Sequence, residues 1–325
     1  MLIPVLLFIL GLICLIKGGD WFVDGAAGIA KMFKMPQILV GATVVSIGTT
    51  LPEVMVSASS AVSGHGEIAY GNAIGSIICN TALIAAITIA VRPSDVERRT
   101  LVAPTFFFFV AAVFYTAVAY ISGFFSRVTG ILLLLIFIIY MAVTIRQAVR
   151  SPKDDDAKAG PDEDDNEKER PVWLLIILLL GGAGLIAVGA DLLVDNGTLI
   201  AQALGVPESV IALTFVALGT SLPELVTAIT SLVKGYGALS LGNVIGANLF
   251  NLVLVCGTAC TLSPFSVPVE KRIGAYPASF VVDIPLMLLV MAFLTIPTII
   301  RGKLSRIQGI ILLAVYVSFV IFQFV

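Results

Sequence analysis

Charged residues and histidine are scarce in this sequence, and both shortages narrow the class of protein. Only 12% of the 325 residues are charged, about half the share of a soluble domain, whereas 58% are hydrophobic. His65 is the one histidine, and the four cysteines all lie in apolar stretches, where they fit as small packing residues. Too few nitrogen and sulfur ligands are therefore present for a transition-metal centre.

Long apolar runs recur along almost the whole chain and predict an all-α polytopic membrane protein. The runs are continuous rather than alternating with period two, which argues against a β-barrel. The N-terminus lacks a basic region and a cleavage motif, so we expect the first run to be a retained span. Ten spans are predicted, at about 2–31, 37–63, 67–91, 101–121, 127–149, 172–202, 208–233, 238–262, 276–299 and 305–325.

One polar segment, 151–171, separates the first five predicted spans from the last five. It contains nine acidic and four basic residues and no large apolar residue, which predicts a solvated linker. Its acidic residues do not have the spacing of a calcium-binding EF-hand loop. The expected organisation is a five-helix unit at 1–150, the linker at 151–171 and a second five-helix unit at 172–325.

The two halves repeat each other with an offset of 171 residues. Residues 41–53 (GATVVSIGTTLPE) and 212–224 (ALTFVALGTSLPE) are identical at seven of 13 positions. The same offset aligns Asp20 with Asp191, Asp24 with Asp195, Pro36 with Pro207 and Asn72 with Asn243. This pattern predicts an internal duplication of a five-helix unit.

Five spans per unit make the second unit enter the membrane from the opposite side, so the repeats are predicted to be inverted. With ten spans, 15 lysines and arginines fall on one side and three on the other, while Lys17 lies inside the first span. The positive-inside rule places the 15 in the cytoplasm. We therefore expect both termini outside the cell, a cytoplasmic linker and a location in the plasma membrane.

Each repeated motif ends in a glutamate, Glu53 or Glu224, near the middle of a predicted span. A charged side chain at that depth costs roughly 2.5–3.5 kcal/mol on insertion scales, so two of them require compensation. A shared bound cation supplies it. The alternative of one protonated structural glutamate does not account for a symmetric pair.

The residues around the glutamates offer oxygen ligands. Pro52 and Pro223 lack a backbone N–H, which frees the carbonyls of Gly48 and Gly219 and favours broken helices at the site. Hydroxyl and carbonyl ligands are then predicted from Thr49, Thr50, Thr220, Ser221, Ser46 and Ala217.

The next span of each half carries the pattern Gly-Asn-x-x-Gly-x-x-x-x-Asn, at 71–80 and 242–251. Its glycines favour close helix contact, and its last residues, Asn80 and Asn251, can add amide oxygens. Two carboxylates with neutral oxygens balance one Ca²⁺ or two Na⁺.

The paired GTTLPE and GTSLPE motifs, each followed by the asparagine segment, resemble the two α-repeats of the Ca²⁺:cation antiporter superfamily, in its prokaryotic sodium/calcium exchanger branch. The resemblance implies ten helices in two inverted halves. It also implies exchange of cytoplasmic Ca²⁺ for extracellular Na⁺ by alternating access, with the first and sixth spans sliding past the core. By resemblance the ligand set comprises Glu53, Glu224, Thr49, Thr50, Thr220, Ser221, Ser46, Ala217, Ser76, Asn80 and Asn251.

Two positions depart from some exchangers of that branch, which have an acidic residue at the Asn251 position and serine at the Ala247 position. These differences bear on the number of Na⁺ sites, whereas the charge balance for Ca²⁺ is retained. Ca²⁺ and Na⁺ are the expected partners, besides the lipid bilayer. We expect no cofactor, no enzymatic activity and no nucleic-acid partner, and a monomer is sufficient to form the site.

Other functions remain open from the residues alone. H⁺ can replace Na⁺ as the coupling ion, since two glutamates can carry two protons, and K⁺ can take part. A channel is a further alternative, although a duplicated site with broken helices suits alternating access better. An intramembrane hydrolase is a poor fit, because His65 lies in a loop and no paired nucleophile and base are evident.

Overall fold

The computed structural model describes residues 2–33, 35–93, 95–150, 170–204 and 219–324, which are almost entirely helical. The helices are α1 Leu2–Met32, α2 Gln37–Val62, α3 Gly66–Val91, α4 Arg98–Ser122, α5 Arg127–Arg150, α6 Val172–Ala203, α7 Leu222–Val233, α8 Gly237–Leu262, α9 Ser279–Arg301 and α10 Arg306–Phe324. Two short antiparallel pairs join Phe124–Phe125 to Phe265–Ser266 and Arg272–Ile273 to Tyr276–Pro277.

The helices confirm the prediction of a multi-pass membrane protein. Within the described residues, nine helices are long and apolar enough to cross a membrane. Helix α7 is shorter, at Leu222–Val233, and 208–218 of the predicted span 208–233 lie outside the described residues. Residues 151–169 of the predicted linker also lie outside them.

Helices α1 and α6 pack against each other in antiparallel directions. A Cβ atom added at Gly11 would meet the backbone of Gly189, and one added at Gly25 would meet the backbone of Leu179. Residue numbers along α6 therefore decrease as those along α1 increase, which makes the two helices antiparallel. Their small residues allow the close approach. The most hydrophobic stretch of each helix is only 22% buried, so most of this pair faces outward.

Helix α8 lies at the centre of the remaining helices, and its corresponding stretch is 94% buried. It packs against α2, α3, α4 and α7. Gly242 and Gly246 lie directly against Ile38 and Ala42 of α2, which confirms close helix contact at the asparagine motif of α8. The same prediction is wrong for Gly71 and Gly75 of α3, since no described atom of another element lies within 4 Å of a Cβ added there. This approach brings the Gly-Asn segment of the second half against the glutamate helix of the first.

Several helices contain a wider π-helical turn that the sequence analysis did not predict. The π-helical segments Asn80–Ala85 in α3 and Asn251–Cys256 in α8 are related by the same 171-residue offset. A third segment, Gly41–Val45, lies in α2 just before the glutamate motif. An extra residue per turn re-aims side chains, and both motif asparagines stand where such a turn begins.

The prediction that both glutamate helices break at the motif is correct for α7 and wrong for α2. In α7, Thr220 and Ser221 form a turn and the helix begins at Leu222, with Pro223 in its first turn. In α2, Ser46–Val62 is continuously α-helical across Pro52. Because proline keeps helical φ while lacking an N–H, the Gly48 carbonyl loses its usual donor without the helix unwinding.

Candidate cation site

The two predicted glutamates meet in the interior, between α2 and α7. Both Glu53 and Glu224 are fully buried. Their carboxyl groups are close enough to interact with each other, and the Thr49 side chain lies beside Glu224. Among the described residues, no donor meets any of the four carboxyl oxygens in full hydrogen-bonding geometry. Two carboxyl groups from different halves of the chain are thus brought together, and the described residues offer neither of them a well-formed hydrogen bond.

Four of the neutral polar side chains predicted at the site are buried and unsatisfied in the same way among the described residues. Asn80 and Asn251 are fully buried, and neither amide has a hydrogen-bond partner within the described ranges. The hydroxyls of Thr50 and Ser221 also have none there. Each buried unsatisfied polar group costs about 1–3 kcal/mol. Their concentration around two carboxylates gives a set of oxygens that a hard cation would satisfy.

Ser46 and Thr49 are held by a residue that the sequence analysis left without a role. The Ser46 hydroxyl lies 2.8 Å from the Gly41 carbonyl, 3.0 Å from the Asn243 carbonyl and 3.3 Å from Asn243 Oδ1. The Thr49 hydroxyl lies 3.3 Å from the same Oδ1. Asn243 therefore offers these hydroxyls an acceptor for their protons, which leaves their oxygen lone pairs available to a cation.

Asn72 holds the glutamate helix from the other side. Its Nδ2 donates to the Glu53 carbonyl at 3.3 Å and to the Ser57 hydroxyl at 2.9 Å. The signal that could have identified both residues is the second letter of the repeated Gly-Asn motif. Sequence alone did not indicate that both asparagines would bond to α2.

The remaining predicted ligands are only partly placed by the structure. Ser76 is buried on α3 one turn before Asn80, and the equivalent position on α8 is Ala247. Thr220 is half-buried in the turn before α7. Ala217 lies outside the described residues. Asn248 was not predicted; its Nδ2 donates to Thr81 at 2.7 Å while its Oδ1 is unpaired within the described residues.

A cavity of about 570 Å³ leads from the protein surface to the two glutamate motifs. Gly48 and Thr49 line it from α2, and Gly219 and Thr220 line it from the turn before α7. The wall opposite is formed by α6. Both copies of the motif are therefore reachable through one opening.

Comparison with known proteins agrees with this geometry. The family model described as sodium/calcium exchanger protein matches residues 3–146 and 174–325. An uncharacterized membrane protein of Methanocaldococcus jannaschii is 35% identical over 310 residues, covering 95% of this chain and 94% of its own length. The sodium/calcium exchanger MaX1 of Methanosarcina acetivorans is 29% identical over 350 residues, covering 98% of both chains.

Solved structures of the sodium-calcium exchanger NCX_Mj share the fold. One of them, soaked with 100 mM Na⁺ and 10 mM Sr²⁺, superposes with a TM-score of 0.79 at 32% identity. The match covers 98% of this chain and 97% of that one. The family match extends over both halves and nearly the full length, so this chain belongs to the sodium/calcium exchanger family.

Proposed function

We propose that the protein exchanges Ca²⁺ for Na⁺ across the membrane, with the ions bound between Glu53 and Glu224. The observation that carries the proposal is that the side chains predicted as ligands from the repeated motifs overlap with the buried side chains that have no hydrogen-bond partner among the described residues. The side chains that the repeated motifs nominate as ligands include six that are buried and unsatisfied among the described residues: Glu53, Glu224, Thr50, Ser221, Asn80 and Asn251. Polar groups left in that state are unfavourable unless a ligand completes them.

Charge and ligand type favour Ca²⁺ as the divalent cargo. Two carboxylates supply a charge of −2, and carboxyl, hydroxyl, amide and backbone oxygens supply the six to eight ligands that Ca²⁺ prefers. Mg²⁺ dehydrates reluctantly and requires a stricter octahedral geometry. Two Na⁺ ions balance the same charge, which allows one site to serve both cargoes in turn.

Na⁺ as the coupling ion is supported by the similarity to proteins whose names include it. The Methanosarcina relative and NCX_Mj are both called sodium/calcium exchangers. The competing ion is H⁺, because two glutamates can accept two protons in place of one Ca²⁺. A third arrangement adds K⁺, and the sodium/potassium/calcium exchanger 4 of Homo sapiens is 27% identical over 42% of this chain.

Alternating access is supported by the one-sided path to the glutamates. The cavity reaches Thr49 and Thr220 past Asp191 and Asp195 of α6, whereas Asp20 and Asp24 of α1 are paired with Lys234. We propose that the halves 1–150 and 172–325 are inverted repeats and that α1 and α6 move together past the glutamate helices. The distribution of basic residues supports the proposal that the cavity opens to the extracellular side and that the linker lies in the cytoplasm of a plasma-membrane protein.

Flux in inside-out vesicles tests the proposal. The pH gradient is collapsed, and Na⁺ is loaded inside the vesicles to create an outward-directed Na⁺ gradient. Uptake driven by this gradient is followed with radioactive Ca²⁺. We expect Na⁺-driven uptake in the parent and none in Glu53→Gln. Uptake that requires a pH gradient and ignores Na⁺ would favour H⁺ coupling, and uptake without any counter-ion would favour a channel.

A further inference from the structure

Lys234, in the turn between α7 and α8, holds the end of α1. Its Nζ lies 2.6 Å from Asp24 Oδ1 and 3.4 Å from Asp20 Oδ1, and it donates to the Asp20 carbonyl at 3.1 Å. Arg170, just before α6, lies 3.7 Å from Asp24 Oδ2. The cluster therefore connects the α1–α6 pair to the hairpin that carries the glutamate helix α7.

The equivalent place in the first half has the same backbone but no positive charge. Lys234 has φ −76° and ψ 0°, and Ser63, 171 residues earlier, has φ −77° and ψ 2°. Each is followed by a glycine in the left-handed region, Gly235 at φ +82° and Gly64 at φ +86°. The two turns are thus the same structural element, and only one of them carries a cation.

The aspartates show the same imbalance. Asp191 and Asp195, the equivalents of Asp20 and Asp24, are exposed and line the 570 Å³ cavity. Within the described ranges, the ion pairs involve Asp20 and Asp24 but neither aspartate of α6. Because α1 and α6 are antiparallel, the two pairs of aspartates lie toward opposite ends of the helix pair. One end carries the Lys234 ion pairs, and the other lines the cavity.

We propose that Lys234 is a one-sided ionic latch that holds the Asp20–Asp24 end of the exchanger closed. The proposal rests on the proposed function in one respect, that the protein alternates between two openings. Opening the latched end separates Lys234 from both carboxylates, a cost with no equivalent at Ser63. The two openings of an otherwise duplicated fold are thereby made unequal, and the state with the Asp191–Asp195 cavity open is favoured.

The test measures access to the cavity without any transported ion. Met55 lines the cavity and is 69% exposed, so Met55→Cys provides a thiol there for a membrane-impermeant maleimide. We expect Lys234→Ser, which copies the residue of the first half, to lower the ratio of cavity-open to cavity-closed states about two- to tenfold, the range for losing partly exposed ion pairs, and thereby to slow labelling of this thiol. The same chain without Met55→Cys measures background labelling of the native cysteines.

Two further variants separate a latch from a general loss of structure. Exchanging the charges in Lys234→Asp with Asp24→Lys restores the ion pair and is expected to restore most of the labelling rate. Combining Lys234→Ser with Ser63→Lys supplies a cation for Asp191 and Asp195 in the state in which that end is closed, and is expected to slow labelling beyond Lys234→Ser alone.

Two results would overturn the latch. One is labelling of Lys234→Ser at the parent rate, and the other is slow labelling that the charge exchange does not restore. Loss of Na⁺ dependence in the flux assay would instead refute the proposed coupling and leave the labelling result standing, because labelling uses neither ion.

Discussion

Gly246 gives a sharp test of the packing that positions the cation site, because it lies where α8 touches α2. A Cβ atom at this position would lie 2.6 Å from the Cα atom and 2.8 Å from the carbonyl carbon of Ala42, and would collide with Ser46 Oγ. To reach the 3.4 Å of ordinary contact, the two backbones must separate by about 0.8 Å. Gly246→Ala therefore displaces Ser46 from Asn243.

The size of the effect follows from the cost of overpacking, about 1–3 kcal/mol for an added methyl group in a close-packed interior. If that cost falls on the ion-bound state, the apparent Ca²⁺ affinity decreases by about five- to 140-fold, since 1.4 kcal/mol is a factor of ten. If it falls on folding, the melting temperature in detergent decreases. We expect both measurements to respond, with Ca²⁺ flux in vesicles as the first assay.

Gly184→Ala is the matched control. Gly184 is exposed on α6, lines the same cavity and has no described atom within 4 Å of an added Cβ. The control is expected to keep the parent's affinity, because the added methyl group meets no atom, and to be at least as stable, because alanine favours a helix by about 0.5–1 kcal/mol relative to glycine. If Gly246→Ala behaved like Gly184→Ala, the close contact of α8 with α2 would be wrong.

Two further substitutions separate stability from ion binding. Tyr140→Phe removes a 2.9 Å hydrogen bond to the Ala42 carbonyl and is expected to destabilise the protein by about 1–3 kcal/mol. The melting temperature should therefore fall while exchange is retained. Loss of exchange would contradict this purely structural role. Asn243→Leu removes the acceptor of the Ser46 and Thr49 hydroxyls and is expected to weaken the Na⁺ dependence of flux. Asn243→Asp keeps the acceptor and serves as its control. Equal Na⁺ dependence in both variants would refute the role of Asn243 in positioning the two hydroxyls.

The helices and the glutamate pair could be predicted from sequence because their signals are local or repeated. Apolar runs reveal spans whatever their neighbours are, and an offset of 171 residues identifies Glu53 and Glu224 as equivalents. A buried carboxylate in a membrane span is costly enough that its presence indicates a site. These predictions required no knowledge of how the helices pack.

The features that depend on packing could not be predicted. Asn72 and Asn243 are equivalent in sequence, yet one donates to the Glu53 carbonyl and the other accepts from Ser46 and Thr49. Repeated sequence implies equal partners, whereas the assembled helices give each copy a different neighbour. The π-helical turns and the continuous α2 helix across Pro52 were likewise not predicted from the sequence.

Ca²⁺ binding to the purified protein, measured by calorimetry without Na⁺, tests the central claim most directly. We expect binding in the parent, its loss in both Glu53→Gln and Glu224→Gln, and its retention in Asp283→Asn. Asp283 serves as the control because it is an intramembrane carboxylate on α9 with no equivalent in the first half. Retained Ca²⁺ binding in either glutamine variant, or equal loss in Asp283→Asn, would contradict a site shared by the two glutamates.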